Sequence, residues 1–578
     1  MFLLLEGQEN GKFIKKNESD ENPGLSLKEK RRRHKELKKE RLEERRRKFK
    51  EEGQERKSFI TKFKNWWPLS KVSGKILLIY FLTVLVGGLL LAIPGVILNS
   101  QFHWDFLTGI FTASSAFSDT GISISNAAAD YSFWGQLLIL IMIQIGGIGI
   151  LTFKIVLLIS LGKKVSINDQ SVAQSERGSS QFSSTVEMIK DGFIFLTFVE
   201  IIGMVMLFFG FYFTPLTFEN YNSIYKDNFS YQYVDVYHDF GGSLWAAIFH
   251  SISAVNNAGF DIISGSSLQP YNLSDNQGYL IQSVFLVQWV IGGLGYPTFH
   301  DIKQKIKARR TGQVVKWSLF TKLNFTVYLT LFLVGPLLVF LSELSQGKDS
   351  YILNYYNVTR DETFYDVILS YEYIDIGPKP VGQAFMDIFF NVTSSRNAGF
   401  TTVDINQFNA GSKLIMSVWM FIGSAPSSTA GGIRTTTFAI VILTIISIMR
   451  NRRSVVAFRK KIPEETVRRS LAVAFVGVMV IVGATAIIYI DSNKVLANRT
   501  NGDKTIIELI TLICSAFGTV GLNPFTTGQM IGLGAFSKIT LIFIMFIGQL
   551  GISNTLLAFI KPNNKKSYEF LEEEVVIG

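Results

Sequence analysis

Apolar residues fall into eight long runs along the chain, at about 75–98, 133–161, 192–213, 278–299, 318–342, 413–449, 469–490 and 536–560. Most exceed the roughly 18–20 residues that a helix needs to cross a bilayer core, so the pattern predicts eight membrane-spanning helices. The polar connections between them alternate in charge. Those after the second, fourth and sixth runs are basic: Lys163 and Lys164; Lys303, Lys305, Lys307, Arg309 and Arg310; Arg450, Arg452, Arg453, Arg459, Lys460 and Lys461. Those after the third and fifth lean acidic: Glu219, Asp227, Asp235 and Asp239; Asp349, Asp361, Glu362, Asp366, Glu372 and Asp375. Because cytoplasmic loops carry the excess of Lys and Arg, the chain is expected to be a multi-pass protein of the cell membrane with both termini in the cytoplasm.

Composition agrees and removes other classes. Of 578 residues, 48% are hydrophobic and 18% are charged, whereas soluble proteins carry about 25% charged residues. Residues 28–57 hold 16 Lys/Arg against 8 Asp/Glu and so supply +8 of the formal net charge of +11. The basic balance therefore describes one segment and gives little support to a nucleic-acid-binding body. Charges in that segment alternate at helical spacing, as in a solvated arm; the sharper alternative is an arm that touches anionic lipid or a cytoplasmic partner. Met1 to Leu5 form an apolar run of five before Glu6, shorter than the roughly 7–15 apolar residues of a secretory leader. The single Cys514 excludes a disulfide framework and a four-thiolate zinc site. His34, His103, His238, His250 and His300 lack ligand-like spacing, and no G-x-x-x-x-G-K-[ST] motif is present. These features argue against an enzyme, against a resident metal or cofactor and against ATP hydrolysis by this chain.

An internal repeat carries the chemistry. Four related heptapeptides follow short amphipathic stretches: Ser115-Ala-Phe-Ser-Asp-Thr-Gly121, Ser253-Ala-Val-Asn-Asn-Ala-Gly259, Thr393-Ser-Ser-Arg-Asn-Ala-Gly399 and Ser515-Ala-Phe-Gly-Thr-Val-Gly521. An apolar residue follows each glycine: Ile122, Phe260, Phe400 and Leu522. The glycines lie 138, 140 and 122 residues apart, so the predicted unit is span, half-helix, glycine turn, span. A half-helix that ends inside a membrane must satisfy its last carbonyls without lipid, which offers no partner. Four such ends converging on one axis present partial negative charge and free main-chain oxygens, which replace the water shell of a monovalent cation. Glycine permits the turn. The flanking pairs Asp119/Thr120, Asn257/Ala258, Asn397/Ala398 and Thr519/Val520 vary, as expected where the oxygens come from the backbone. The competing explanation is glycine serving only close helix packing.

The sixth run is interrupted by Gly423-Ser424-Ala425-Pro426-Ser427-Ser428-Thr429-Ala430-Gly431-Gly432-Ile433-Arg434. Its flanks, about 413–422 and 437–449, are each too short to span alone. They complete one crossing only if the irregular backbone is buried in protein or lines water. That arrangement predicts a loop beneath the four turns that can obstruct a pore; a cytoplasmic loop between two separate helices is the alternative. Lys154, Glu200, His300 and Asp301 are ionisable groups in or near spans. Glu200, mid-way along the third run, either bonds a neighbouring helix or contributes to ion coupling.

The four heptapeptides and the broken sixth span together resemble the potassium-translocating subunits of the Ktr/Trk/HKT superfamily, most nearly the bacterial Ktr membrane subunit, over about residues 70–560. The resemblance implies an all-α membrane protein of four M1–P-loop–M2 repeats, with eight transmembrane helices and four re-entrant pore half-helices around a central pore. The expected division is a charged cytoplasmic arm (1–68), repeats at 69–162, 185–302, 315–450 (with a broken second helix) and 466–561, and a cytoplasmic tail (562–578). It implies an ion selectivity filter at Asp119–Ile122, Asn257–Phe260, Asn397–Phe400 and Thr519–Leu522, and a gating loop at 423–434. It further implies potassium as the transported ion, a homodimer of separate pores and a cytoplasmic ring of nucleotide-binding regulator subunits, with ATP or ADP only on those partners. One position departs from the family: Gln549 stands where an arginine facing the gate is usual, and Arg434 is the basic residue in the same neighbourhood. In plant members a serine at the first filter glycine accompanies sodium transport. All four positions here are glycine, which favours potassium over a sodium-permeable or sodium-coupled transporter of the same architecture.

Overall fold

The computed structural model describes residues 72–149, 185–216, 234–273, 278–360, 371–496 and 502–552, with a few isolated positions beside them. The expected arm (1–68) and tail (562–578), Lys154, Lys163, Lys164, Glu219, Asp227, Asp361, Glu362 and Asp366 lie outside the described residues.

The fold is mostly helical. Among the described residues, four helices are long and apolar enough to cross a membrane: α1 (Val72–Leu91), α4 (Thr185–Phe213), α9 (Leu319–Gln346) and α13 (Glu464–Leu496). Only 17–39% of their most apolar windows is buried, and side chains such as Phe81, Phe198, Leu333 and Ile490 are exposed. Apolar surface on that scale requires an apolar surrounding. The helices α7 (Tyr279–Gly292) and α8 (Tyr296–Thr311), which meet at 91°, pass the same test only when taken together as one broken segment.

The bend changes the reading of the fourth apolar run. Gly293, Leu294 and Gly295 interrupt it, Gly295 has φ +78°, and Pro297 opens the next helix. Proline fits a first helical turn because it lacks an N–H to lose there. Beyond the bend, α8 carries Lys303, Lys305, Lys307, Arg309 and Arg310, the charges expected of a connection after that run. The second and eighth runs hold the 16-residue helices α3 (Phe133–Ile148) and α16 (Ala535–Leu550). Past these, most residues lie outside the description. In the sixth run, α11 (Ala410–Phe421) and α12 (Thr435–Met449) flank the break, close to the predicted flanks. The acidic connection after the fifth run contains an unforeseen ribbon, with β1 (Asn354–Arg360) antiparallel to β4 (Tyr371–Pro378) around the two-residue strands β2 (Thr363–Phe364) and β3 (Val367–Ile368).

Each heptapeptide closes a short helix: α2 (Phe106–Phe117), α5 (Phe240–Asn256), α10 (Val381–Ser394) and α14 (Gly502–Gly518); the one-turn helices α6 (Gln269–Leu273) and α15 (Thr527–Gly532) follow the second and fourth turns. Asp105 caps the start of α2 by accepting from Leu107 and Thr108, and Asp239 caps α5 through Gly241. A side-chain oxygen there satisfies amide groups that have no partner within the helix. The packing runs in a circle: α3 lies on α5, α7 on α10, α11 on α14, and α16 returns to α2. Three of these later helices also press on the short helix that precedes them in the chain: a methyl group on Gly146 of α3, Gly292 of α7 or Gly548 of α16 would strike the carbonyl of Phe117 in α2, Val255 in α5 or Phe517 in α14.

Candidate functional site

The four heptapeptide turns meet. A β-carbon on Gly121 would sit 2.5 Å from the Ala258 carbonyl oxygen and 3.0 Å from Gly259 Cα. One on Gly259 would sit 2.9 Å from the Ala398 oxygen and 3.4 Å from Gly399 Cα. One on Gly399 would overlap the Val520 oxygen and lie 3.1 Å from Gly521 Cα, and one on Gly521 would lie 2.5 Å from the Thr120 oxygen. The glycines thus form a closed ring in chain order, in which the carbonyl before each glycine abuts a glycine of the neighbouring turn. All four have φ between +69° and +105°, the left-handed side that glycine occupies without penalty.

Around the ring, Asp119, Thr120, Ile122, Asn257, Ala258, Phe260, Asn397, Ala398, Phe400, Thr519, Val520 and Leu522 are buried, whereas Gly121, Gly259 and Gly521 remain partly open. The partly open positions are glycines, so what is exposed there is backbone. The helices α2, α5, α10 and α14 all end at it, which brings four sets of C-terminal carbonyls together.

The turns are closed by the chain itself. In three of them the fifth residue is left-handed (Asp119, φ +52°; Asn257, φ +59°; Thr519, φ +49°). The next amide then reaches back to the first residue of the heptapeptide: Thr120 N to Ser115 O at 2.8 Å, Ala258 N to Ser253 O at 2.8 Å and Val520 N to Ser515 O at 2.9 Å. Asp261, just past the second turn, accepts from Ile263 N (2.9 Å) and Ser264 N (2.8 Å) and pairs with His250 of α5 at 2.7 Å.

The break 423–434 lies against this ring. Its ends are pinched by Ile433 N donating to Phe421 O at 3.2 Å and Thr435 N donating to Ser424 O at 3.1 Å. Asn257 Nδ2 donates to Thr429 Oγ1 at 2.6 Å, Asn397 Nδ2 to Ser424 Oγ at 2.8 Å, and Gly431 N to Thr519 Oγ1 at 2.7 Å. Gln549 bridges the remaining side, donating to Asp119 Oδ2 at 3.1 Å and Thr429 O at 3.3 Å. Ala425, Ala430, Ser427, Ser428 and Thr429 are buried, as are Gly423, Ser424, Gly431, Gly432 and Ile433, while Pro426 is partly exposed. At the loop's end the Arg434 guanidinium donates to Ala430 O and to Gln549 O (the latter 3.2 Å). Arg434, Gln549, Ser427, Ser428, Tyr80, Gly146, Gly149 and Leu550 line a small cavity on that side.

Sequence reasoning missed Arg396. It occupies the fourth place of the third heptapeptide, where the others have Ser118, Asn256 and Gly518, and it is 1% exposed. Its guanidinium stacks 4.1 Å over the Tyr328 ring and donates to Gly423 O at 3.3 Å. A basic residue in a repeat whose other copies carry none was the available signal. Glu200, by contrast, bonds neighbouring helices: its carboxylate accepts from Gln144 at 3.2 Å and Asn256 at 3.4 Å. His300 pairs with Asp191 at 3.0 Å, and Asp301 accepts from Ser318 and Thr321 at the start of α9. Among the described residues no three His, Cys, Asp or Glu side chains come together to hold a metal.

Comparison with known proteins fits this geometry to a family. The TrkH profile, described as cation transport protein, matches residues 67–569. The chain belongs to the TrkH family of cation transport proteins. Among TrkH-family relatives, the "uncharacterized cation transporter MG322" of Mycoplasma genitalium is 31% identical, with 88% of this chain and 97% of that protein aligned. The Ktr system potassium uptake protein D of Bacillus subtilis is 28% identical over 87% of this chain and 96% of its own length. The crystal structure of the potassium transporter TrkH from Vibrio parahaemolyticus matches with a TM-score of 0.52 at 16% identity, covering 85% of each chain, a likeness of fold. This TrkH-family chain is therefore a membrane cation transporter, and its relatives are transporters rather than enzymes.

Proposed function

We propose that the chain takes potassium into the cell through a selectivity filter built by the four glycine turns. The observation that carries this reading is the closed ring of Gly121, Gly259, Gly399 and Gly521, with a carbonyl of one turn against each glycine of another. Residues Asp119–Ile122, Asn257–Phe260, Asn397–Phe400 and Thr519–Leu522 form the filter, and the oxygens at the ring exchange for the water around the ion. Four helix C-termini aimed at one place favour a cation. Inward movement needs no fuel in this chain, since one elementary charge gains about 2.3 kcal/mol per 100 mV of membrane potential. The relative named as a Ktr potassium uptake protein supports potassium as cargo.

In this reading the chain is organised as M1–P-loop–M2 repeats at 69–162, 185–302, 315–450 and 466–561, with eight crossings around a central pore. The circular packing of α3, α7, α11 and α16 onto the next short helix supports it. Loop 423–434, including Gly423, Ser424, Ala425, Pro426, Ser427, Ser428, Thr429, Ala430, Gly431, Gly432 and Arg434, is the gate beneath the filter, together with Gln549. The contacts of Arg434 with Ala430 O and Gln549 O support a gate charge supplied from the loop instead of from the last helix. Basic α8 faces the cytoplasm, where a ring of nucleotide-binding regulator subunits moves the loop, and two copies of the chain assemble as a dimer of separate pores. Sodium movement by the same architecture is the second outcome that the test resolves.

The test is growth of a potassium-uptake-deficient bacterium at low external potassium, with and without Gly399→Ser. The wild-type chain restores growth, and the variant loses potassium selectivity with it. Growth unaffected by the change removes the third turn from the filter, and growth that requires sodium moves the reading to sodium coupling. For the gate, deletion of residues 425–430 raises cation flux in the absence of the partner; flux that stays low and partner-dependent shows the obstruction to be elsewhere.

A further inference from the structure

The fifth residue of the heptapeptide has the same task in all four turns. Asn257 reaches Thr429 Oγ1 at 2.6 Å, Asn397 reaches Ser424 Oγ at 2.8 Å, Thr519 accepts from Gly431 N at 2.7 Å, and Asp119 holds Gln549 at 3.1 Å, which bonds Thr429 O at 3.3 Å. All four side chains are fully buried, and every one meets loop 423–432 or the residue that holds it. Their types differ, yet each puts a polar atom within short reach of the backbone. Asp, Asn and Thr side chains all bond locally beyond a helix end, and Asp119 and Asn257 are of the types that tolerate the left-handed conformation they adopt.

We propose that these four side chains are a latch, which holds the gate loop closed by tying it to each of the four filter turns. The proposal rests on the reading of that loop as the gate. Ion selectivity lies in main-chain oxygens, while gating lies in the side chains two places before each glycine, so one short turn serves both without sharing atoms. The latch also explains why a loop of glycine, serine and alanine keeps a defined position. Buried hydrogen bonds are costly to leave unmade, so the loop leaves the ring only when all four ties exchange for others. Opening is then concerted, and a partner that pulls one end of the loop must break the set.

The test uses the full chain in liposomes without its partner, reading unstimulated potassium flux and the potassium-to-sodium flux ratio. Loop-side variants Thr429→Val and Ser424→Ala each remove a tie without changing a residue of the turns; Thr429→Val also removes the hydroxyl's longer bonds to Val255 O and Gly292 O, both at 3.4 Å, so Ser424→Ala is the narrower change. Asn397→Ala removes the same tie as Ser424→Ala from the other side, and Asn397 lies outside the left-handed region, so alanine adds no strain there. Each variant raises unstimulated flux by about 2- to 10-fold, the factor that one net hydrogen bond supplies. The Asn397→Ala/Ser424→Ala double variant raises it no more than Asn397→Ala alone, and in the loop-side variants Thr429→Val and Ser424→Ala the flux ratio stays at the wild-type value. Unchanged flux, additive effects of that pair, or a lost ion preference overturns the latch; the last would make these side chains part of the filter. Comparison with the 425–430 deletion separates the two readings. If the deletion opens the pore and the point variants do not, the gate stands and the latch falls; if the deletion leaves flux low, both fall.

Discussion

The third turn and the other three solve one problem differently. Turns one, two and four end their helices with a left-handed residue and a bond from the sixth amide to the first carbonyl. In the third, Asn397 and Ala398 both donate to Ser394 O, at 3.1 and 2.8 Å, so the helix winds on by a different register and no left-handed residue precedes Gly399. It is also the turn with a buried arginine and a buried ring glycine, and its following span is the broken one. The lesson is that matched heptapeptides fix where four backbones meet without fixing how each arrives. Arg396 explains part of the difference. A cation near a helix C-terminus complements its dipole, and the donation to Gly423 O ties the turn to the start of the loop.

The largest test of this comparison is an alanine series on the ring. Gly399→Ala meets the Val520 oxygen most closely, Gly121→Ala and Gly521→Ala meet oxygens at 2.5 Å, and Gly259→Ala meets its nearest oxygen at 2.9 Å. Potassium uptake is therefore lost in the order Gly399, then Gly121 and Gly521 together, then Gly259, with the first abolished. Equal losses at all four positions would show the ring to be symmetric in energy despite the different third turn.

Much of this was legible from residues alone, and the limits have physical reasons. Four glycines at near-equal spacing predicted four turns, and the short flanks of 413–449 predicted the break, because both are demands of backbone polarity in lipid. The right-angle bend at Gly293–Gly295 was not legible, since an apolar count over 278–299 does not see a glycine bend. The strand pair 354–378 lay hidden in a connection read only for its charge. The side chains of Asp119, Asn257, Asn397 and Thr519 seemed free to vary because their partners lie up to 430 positions away in the chain. Sequence spacing carries no trace of such contacts.

A test of intermediate size is Arg396→Lys. It keeps the charge but gives up the flat stack on Tyr328, and one ammonium cannot both stack and donate as the guanidinium does. A stacked cation is worth about 0.5–2 kcal/mol, so uptake falls by roughly 2- to 30-fold, measured as initial rubidium influx. The matching change in another turn, Ser118→Ala, removes no ring stack and leaves a smaller loss. Uptake unchanged in Arg396→Lys would mean that charge alone sets the third turn.

The smallest effect sharpens the contrast furthest. Thr519 is β-branched and left-handed, a conformation that costs such residues roughly 1–2 kcal/mol and that asparagine bears more easily. Thr519→Asn should stabilise the protein by about 1 kcal/mol in a denaturant titration in detergent, on the strength of that relief. Asn397→Thr, at the position without a positive φ, relieves and adds no such strain, so its effect comes only from the bond to Ser424. If Thr519→Asn instead destabilises, the threonine hydroxyl's bond from Gly431 N outweighs the strain of its backbone. The fourth turn would then hold its shape against local preference for the sake of the loop, as the third does by carrying a buried charge.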